Sequence, residues 1–407
     1  MAICVQNAID IISNLTIDLK FEIVPIEDAL SRICAKDIYA TTSLPKFDNS
    51  AMDGYAIIYN DKDNELNIID TIYAGDNNNK LLENNSCIKI MTGAKIPSNT
   101  TAIIPKEDTV ELSDNKIKII KNVKEYQHIR NIGEDIDKNE LLVNIGEELN
   151  FSKITLLASQ GISHIKVYKK PKIVVFASGE ELKLHYEKIE DYQIYNSNTP
   201  SLIARCKELG CDVTFIGQAN DSVESIANYI KNSLDADLII TSGGVSVGDA
   251  DFTKEALNQF NFEQFFDGIK IKPGKPTVFG KIENSLMLNL PGNPLASALI
   301  FELFGRLIIQ KLLGSKNTFH NFIYGKINSD FKTKSGRVTI IPGFFDGEYF
   351  DISNKRSPGM VSTLGKCNSL IIIDENLESI KKDNFIKILP INWKFFTNEK
   401  KDFLIYE

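Results

Sequence analysis

The sequence predicts a multidomain protein in which a doubly wound α/β domain is combined with β-rich domains and an elongated helical segment. Three observations support this prediction. Beyond residue 172, short apolar runs alternate with apolar residues at helical spacing, which indicates a mainly parallel sheet covered by helices. Residues 57–129 and 317–407 instead contain short β-rich runs separated by Asn, Asp and Gly. Residues 5–19 carry apolar side chains at helical spacing.

The first 170 residues are expected to contain three helices and a small β domain. After the helix within 5–19, Pro25 followed by two acidic residues predicts a second short helix over 26–33. Residues 43–56 follow neither helical nor strand periodicity, so this stretch is either a functional loop or a crossover between domains. Apolar spacing predicts a third helix over 153–158.

The α/β region and the C-terminal region follow in order. Gly210 and Gly314 are expected to end two of the helices. The predicted elements are strand 172–177, helix 201–209, strand 212–216, helix 222–234, strand 238–241, a helix beginning at 252, strands 277–282 and 285–290, helix 295–313, and strands 337–341, 369–373 and 385–388.

The composition excludes several classes of protein. The 407 residues are 43% hydrophobic and 25% charged, with a net charge of -8, which is typical of a globular protein and unlike a nucleic-acid-binding one. The six cysteines form no C-x-x-C pair, so we expect a reducing, cytoplasmic compartment. The N-terminus does not resemble a signal peptide, and the apolar stretch 295–313 contains three charged residues, so no membrane span is expected.

A glycine-rich loop follows the strand at 238–241. Ser242, Gly243 and Gly244 are small enough for backbone N–H groups to face a ligand, and a helix begins shortly after. The segment matches neither a dinucleotide-binding nor a Walker A pattern. Asp249 and Asp251 would repel a phosphate unless a divalent cation such as Mg²⁺ lay between them. Alternatively, one aspartate simply caps the helix.

Acidic residues follow three successive strands of the predicted sheet. Glu181 follows the first, Asp221 the second, and Asp249 with Asp251 the third. Because ligands bind at the carboxyl ends of strands in such sheets, we expect these carboxylates to form one site that holds Mg²⁺.

Two proline-containing loops are further candidates. Pro273 and Pro276 hold Lys272 and Lys275 in extended conformations, which suits an oxyanion or phosphate, although two solvated lysines on a hairpin remain an alternative. The turn 291–294 either shapes a pocket or only starts a helix. The candidates for anion contact in the C-terminal region are Arg337, Arg356, Ser357 and Ser362.

Seven stretches together resemble the MoeA family, the molybdopterin molybdenumtransferases. They are PKFDNSAMDGYA (45–56), IMTGAKIP (90–97), IRNIGEDI (129–136), SGEEL (178–182), TSGGVSVGDADFTK (241–254), IKPGKP (271–276) and LPGNPLAS (290–297). The resemblance implies four domains and a homodimer. The implied domains are a discontinuous helical domain (1–43 and 131–169), an inserted β domain (44–130), a molybdopterin-binding α/β domain (170–316) and a C-terminal β-barrel-like domain (317–407).

The resemblance also implies a reaction, in which adenylated molybdopterin is hydrolysed with Mg²⁺, molybdate is inserted at the dithiolene, and AMP is released. The implied catalytic residues are Asp53, Glu181, Asp221, Asp249, Asp251, Lys272 and Lys275. The implied substrate-binding residues are Thr92, Ser242, Gly243, Gly244, Ser246, Gly248, Pro291, Gly292, Asn293, Pro294, Arg337 and Ser362. Asp53 and Thr92 are expected to act on the partner subunit's site, and contact with a molybdopterin adenylyltransferase is possible for such an enzyme.

The sequence departs from the family pattern at Asn196, where an Asp is usual, and at Ser222, where a second Asp is common.

Two alternative functions remain open. One is a molybdopterin adenylyltransferase, which lacks the two β domains and the 45–56 motif. The other is a catalytically inactive scaffold of the same fold, which the retained acidic and lysine residues argue against.

Overall fold

The computed structural model describes residues 2–77, 79–113, 115–244, 252–393, 400 and 404. No helix among these residues is long and apolar enough to cross a membrane. The described α-helices are α1 (Val5–Ser13), α2 (Phe151–Ser159), α3 (Asn198–Glu208), α4 (Val223–Lys231), α5 (Phe252–Leu257), α6 (Pro294–Ile300) and α7 (Arg306–Leu312).

Short strands make up most of the remaining regular structure. They are β1 (Phe21–Pro25), β2 (Ile38–Tyr39), β3 (Asn49–Ser50), β4 (Gly54–Ile57), β5 (Glu65–Ile72), β6 (Ser86–Ile90), β7 (Ala102–Pro105), β8 (Thr109–Ser113), β9 (Lys116–Ile119), β10 (Ile129–Arg130), β11 (Leu141–Val143), β12 (His164–Tyr168), β13 (Lys172–Ser178), β14 (Leu182–Lys183), β15 (Ile194–Tyr195), β16 (Asp212–Ala219), β17 (Leu238–Ser242), β18 (Glu263–Asp267), β19 (Ile271–Lys272), β20 (Val278–Ile282), β21 (Ser285–Leu290), β22 (Ile323–Ile327), β23 (Phe331–Lys332), β24 (Val338–Phe345), β25 (Tyr349–Ile352), β26 (Ser369–Ile373), β27 (Ser379–Ile380) and β28 (Phe385–Pro390).

A six-stranded, mainly parallel sheet forms the centre of the α/β region, in the order β16-β13-β17-β21-β20-β18. β16, β13, β17 and β21 are parallel, whereas β20 and β18 are antiparallel to their neighbours. The chain goes from β13 outward to β16 and then returns to β17 on the other side of β13. The order of the strands therefore reverses direction at β13, and the predicted doubly wound sheet is confirmed.

Helices cover both faces of this sheet because its buried strands are apolar on both sides. Ile173 and Val175 of β13 belong to a core cluster with residues of α3, α6 and α7. Val174 and Phe176, which alternate with them, belong to a second cluster with α4 and α5. Successive side chains of one strand point to opposite faces, so a single apolar run supplies both cores.

The chain outside the α/β region forms a long two-stranded ladder that carries a separate sheet. β1 pairs with β12, β2 with β11, and β3 with β10, all antiparallel. Between β3 and β10 the chain forms a second six-stranded sheet, in the order β7-β4-β6-β5-β9-β8. The ladder and this sheet have their own apolar clusters, centred on residues such as Val167 and Tyr55.

The C-terminal strands form a closed barrel. β24, β25, β22, β28 and β26 pair in sequence, and β26 pairs again with β24. β19, from the α/β region, adds in parallel to β24, with Lys272 opposite Thr339. The segment that carries Lys272 therefore joins the α/β region to the barrel.

A buried charge cluster also fixes the barrel to the α/β region. Arg205 of α3 donates to both carboxylate oxygens of Glu302, at 2.7 and 3.0 Å, and to the Ile391 carbonyl at 2.9 Å. Arg306 donates to the same carboxylate at 3.3 Å and to the Pro390 carbonyl at 3.2 Å. Because Glu302 is only 8% exposed, its charge is compensated almost entirely by these two guanidinium groups.

A second charge cluster holds the turn after β11. Lys153 forms an ion pair with Glu147 at 2.8 Å, and Lys316 also contacts this carboxylate. Asn144 donates a further hydrogen bond at 3.1 Å. The ammonium of Lys153, followed by that of Lys316, lowers the pKa of Glu147 to about 2.

Two predicted helices differ from the structure. The helix predicted over 26–33 is wrong, because the chain makes only one 3₁₀ turn, Ile26–Asp28, and Ser31 then adopts a φ of 60°. Cys34 bridges to Val167, so pairing with the ladder replaces helical continuation. The long helix predicted over 295–313 is present as α6 and α7, but Phe301–Gly305 between them is π-helical.

Candidate active site

A cavity of about 720 Å³ lies at the carboxyl ends of β13, β17 and β21. This is the edge of the sheet at which the strand order reverses, where doubly wound folds bind their ligands. Among the residues predicted from the sequence, those that line it are Glu181, Asp221, Ser242, Gly243, Gly244, Gly292, Asn293 and Pro294. Predicted residues 246, 248, 249 and 251 (Ser246, Gly248, Asp249 and Asp251) lie outside the described residues.

Gly243 brings the ends of β13 and β17 into direct contact, and Gly244 lies against α5. A Cβ on Gly243 would lie 2.2 Å from the Ser178 carbonyl oxygen, and Gly243 has a φ of +97°. A Cβ on Gly244 would lie 2.3 Å from Thr253 Oγ1. A Cβ at position 243 would overlap backbone, so only glycine fits there, whereas a Cβ at position 244 would displace the Thr253 side chain.

The acidic side of the cavity is held by hydrogen bonds from β13 and β16. The Ser178 hydroxyl donates to Asp221 Oδ1 at 2.7 Å. Gln218 donates to the carbonyls of Gly179 and Leu182, at 2.9 and 2.8 Å. These contacts fix both the Asp221 carboxylate and the loop that carries Glu181.

The N-terminus of α3 closes the opposite side. The Asn198 amide donates to Ser242 Oγ and to the Gly292 carbonyl, both at 2.7 Å, and so ties the glycine loop to the 291–294 turn. Asn196 Oδ1 accepts from the Thr199 N–H at 3.1 Å, a cap that an aspartate would make equally well. Its Nδ2 is buried without a partner among the described residues.

The described carboxylates fit Mg²⁺ only together with a substrate. No group of three or more His, Cys, Asp or Glu side chains in the described part of the chain could hold a metal ion. Glu181 and Asp221 both line the cavity. Since Mg²⁺ is usually held by one or two carboxylates together with phosphate oxygens, Glu181 and Asp221 fit a magnesium–phosphate complex.

A second cavity, of about 540 Å³, is strongly basic. Its described lining contains four cationic side chains and several hydroxyl groups but no carboxylate. The residues are Lys272, Pro273, Phe331, Lys332, Thr333, Lys334, Thr339, Ile340, Ile341, Arg356, Ser357 and Pro358. Such a lining favours an inorganic oxyanion.

Residues 357–361 separate the two cavities. Ser357 and Pro358 line the basic cavity, whereas Gly359 and Val361 line the cavity at the sheet edge. The Pro358 carbonyl accepts from the Leu295 N–H at 2.9 Å, which seats this segment on the start of α6. A third cavity of about 380 Å³ adjoins on the same side and includes Ser362.

Asp53 and Thr92 contact each other in the second sheet region. The Thr92 backbone N–H and hydroxyl both donate to Asp53 Oδ1 at 2.7 Å. These hydrogen bonds, the backbone one first, lower the pKa of the exposed Asp53 carboxyl. Neither residue lines any of the three cavities described above.

The remaining predicted residues are more dispersed. Lys275 and Arg337 are exposed and line none of the three cavities, and Pro291 is buried beside Ser242. Sequence reasoning missed Ser178 and Asn198. Ser178 follows the last residue of the predicted strand, so the rule that placed Glu181 at a strand end could have found it.

Comparisons with known proteins agree with this architecture. Residues 3–161 match the family model "MoeA N-terminal region (domain I and II)", and residues 174–311 match "Probable molybdopterin binding domain". Two solved structures of a molybdopterin biosynthesis MoeA protein from Pyrococcus horikoshii have TM-scores of 0.85 and 0.84 to this chain. They are 28% and 24% identical, and cover 97% and 96% of it and 100% of their own chains.

Two relatives are named molybdopterin molybdenumtransferase. The Haemophilus influenzae protein is 33% identical over 390 residues, which are 94% of this chain and 96% of the relative. The Staphylococcus epidermidis protein is 30% identical over 420 residues, which are 98% of this chain and 97% of the relative. The chain therefore belongs to the MoeA family of molybdopterin molybdenumtransferases, a family of molybdenum cofactor biosynthesis.

Proposed function

We propose that this protein is a transferase that hydrolyses adenylated molybdopterin, inserts molybdate at the dithiolene and releases AMP. The observation that carries the proposal is the shared wall at residues 357–361. A cavity lined by glycine backbone, hydroxyls and carboxylates adjoins a basic cavity suited to an oxyanion. An enzyme that joins a phosphorylated substrate to molybdate needs two such neighbouring sites.

In the cavity at the sheet edge, the glycine loop would hold the phosphoanhydride. The attacking water forms a bond to one phosphorus, and the bond between that phosphorus and the bridging oxygen breaks, so that AMP leaves. Asp221, oriented by Ser178, would accept the proton of this water. Mg²⁺, when bound, would neutralise charge on the phosphate oxygens, and Glu181, Asp249 and Asp251 would hold it, which leaves Asp221 as the base.

In the basic cavity, Lys272 and Arg356 would bind molybdate as a substrate. Two negative charges on the oxyanion would be balanced by side chains that face no carboxylate within the described lining. Lys272 lies on β19, a segment of the α/β region that pairs with β24 of the barrel. The lysine is therefore at the junction between the α/β region, which contains the sheet-edge cavity, and the barrel.

The test is AMP release from adenylated molybdopterin by the purified protein with Mg²⁺, with and without molybdate. We expect molybdate to stimulate release. Lys272→Gln should abolish this stimulation, whereas Lys270→Gln, an exposed neighbour that lines none of the three cavities, should retain it. Tight binding of the adenylate without AMP release would contradict the proposal and identify a binding protein instead.

A homodimer is part of the proposal. Asp53 and Thr92 line none of the three cavities described above, so we place their role in turnover at the site of a second copy of the chain. Mixing inactive Asp53→Ala subunits with inactive Asp221→Ala subunits should restore part of the AMP release, because one of the two sites is then intact. Failure to restore it, with mixed dimers verified by mass, would contradict this arrangement.

A further inference from the structure

One wall of the cavity at the sheet edge is a small β-ribbon with unusual exposure. β14 and β15 pair so that Leu182 lies opposite Ile194 and Lys183 opposite Tyr195. Leu182, Ile194 and Tyr195 all line the cavity. Ile194 is 55% exposed and Tyr195 is 46% exposed. Apolar and aromatic surface that faces a cavity in this way is typical of a ligand-binding wall.

The ribbon is anchored, so it can act as a preformed surface. Backbone hydrogen bonds join Ile194 N–H to the Glu181 carbonyl at 2.9 Å and Asn196 N–H to the Lys183 carbonyl at 2.7 Å. Gln218 of β16 also donates to the Leu182 carbonyl at 2.8 Å. The same glutamine holds the Gly179 carbonyl, so the ribbon and the phosphate side of the cavity are fixed to one strand.

The lining of the cavity is therefore divided into two parts. Ser178, Glu181, Asp221, Asn198 and the glycine loop supply the polar part, and Leu182, Ile194, Tyr195 and Phe252 supply the apolar part. A ligand that matches both parts has a charged phosphate at one end and a flat, weakly polar ring at the other. Stacking on an exposed tyrosine is a common way to bind such rings.

We propose that Tyr195, which lies opposite Lys183 on the ribbon, is the stacking surface for a planar heteroaromatic ring of the substrate. This inference rests on the proposed function, because the adenylated substrate carries two such rings, adenine and pterin. The shared chemistry is a bicyclic nitrogen heterocycle linked to phosphate. Tyr195 acts in binding rather than in the bond-breaking step, so its loss raises KM and leaves kcat nearly unchanged.

The experiment measures binding by calorimetry to the intact protein and three variants. The ligands are AMP, neopterin monophosphate and inorganic pyrophosphate, which has no ring. We expect Tyr195→Ala to weaken binding of one ring-bearing ligand about 5- to 150-fold, the range of a lost base–aromatic stack. Tyr195→Phe should bind within about twofold of the wild type, and so should Tyr192→Ala, since Tyr192 is 76% exposed but does not line the cavity.

The two ring-bearing ligands distinguish the source of the ring. Selective weakening of AMP assigns the ribbon to adenine, and selective weakening of neopterin monophosphate assigns it to the pterin. Unchanged binding of both by Tyr195→Ala, while the wild type binds them, would overturn the stacking proposal alone. If the wild type binds neither ring-bearing ligand and releases no AMP from the adenylate, the proposed function fails as well.

Discussion

Replacing Gly243 with alanine tests the contact that builds the cavity. The new Cβ would lie 2.2 Å from the Ser178 carbonyl oxygen, well over 1 Å inside an ordinary contact, so the end of β13 must move. A side chain at a φ of +97° costs about 1–2 kcal/mol. Steric overlap with backbone adds about 1–3 kcal/mol. We therefore expect a loss of about 2–5 kcal/mol in the free energy of unfolding.

Gly210→Ala is the matched control. Gly210 has a φ of +84° and follows α3 in the same α/β region, and a Cβ added to it would meet no other atom within 4 Å. The free energy of unfolding of Gly210→Ala should fall only by the cost of a side chain in the left-handed backbone conformation, about 1–2 kcal/mol. Chemical unfolding followed by circular dichroism measures both losses, and the rate of AMP release reports the site.

The rate of AMP release should also distinguish Gly243→Ala from Gly210→Ala. Displacing Ser178 disturbs its 2.7 Å hydrogen bond to Asp221, and a shift of about 1 Å in a catalytic group costs on the order of 100-fold in rate. Gly210→Ala should release AMP at the wild-type rate. Equal stability of the two variants, together with full activity of Gly243→Ala, would refute a tight contact between Gly243 and the end of β13.

Three further perturbations have defined outcomes. Glu302→Gln leaves the Arg306 guanidinium without a carboxylate partner among the described residues and leaves Arg205 with Glu208 alone, so the free energy of unfolding should fall by about 3–5 kcal/mol, as measured by chemical denaturation. Glu147→Gln should lower stability by about 1–2 kcal/mol at pH 7. Because the folded pKa of Glu147, about 2, lies below its unfolded value, this difference should disappear as the pH falls from about 5 to 2 in acid-unfolding curves. Thr92→Val removes one of two donors to Asp53, so NMR titration should show the pKa of that carboxyl moving up toward its ordinary value.

Each of these has an outcome that would contradict it. A Glu302→Gln protein as stable as the wild type would mean that the cluster is already solvated. A stability difference for Glu147→Gln that stays constant down to pH 2 would place the folded pKa elsewhere. An unshifted Asp53 titration would mean that the backbone N–H alone determines that pKa.

The α/β region was predictable because its signals are local. The strand predicted over 285–290 coincides with β21, since a mostly apolar run bounded by turn residues identifies a strand buried on both faces. The false helix over 26–33 had equally good local signals. There, the pairing of Cys34 with Val167, more than a hundred residues away, overrides helical propensity, and no local pattern contains that information.

The candidate site was predictable to the same extent. The strand-end rule placed Glu181 and Asp221, and both line one cavity. Lys272 and Lys275 looked equivalent in sequence, yet only Lys272 lines the basic cavity. The distinction depends on the pairing of β19 with β24, a contact between distant segments whose sequences contain no common signal.

The nested pairing of β1 with β12, β2 with β11 and β3 with β10 has a consequence for how the chain folds. Once the enclosed sheet has formed, Ser50 and Ile129 are neighbours, and each outer pair closes only two further segments of 9 to 20 residues each. Most of the entropy of loop closure is then lost at the innermost pair. The outer pairs, β2 with β11 and β1 with β12, can form one after the other at a smaller entropic cost. The enclosed region can therefore lengthen or shorten in evolution with little effect on the folding of the cavity that lies beyond the ladder.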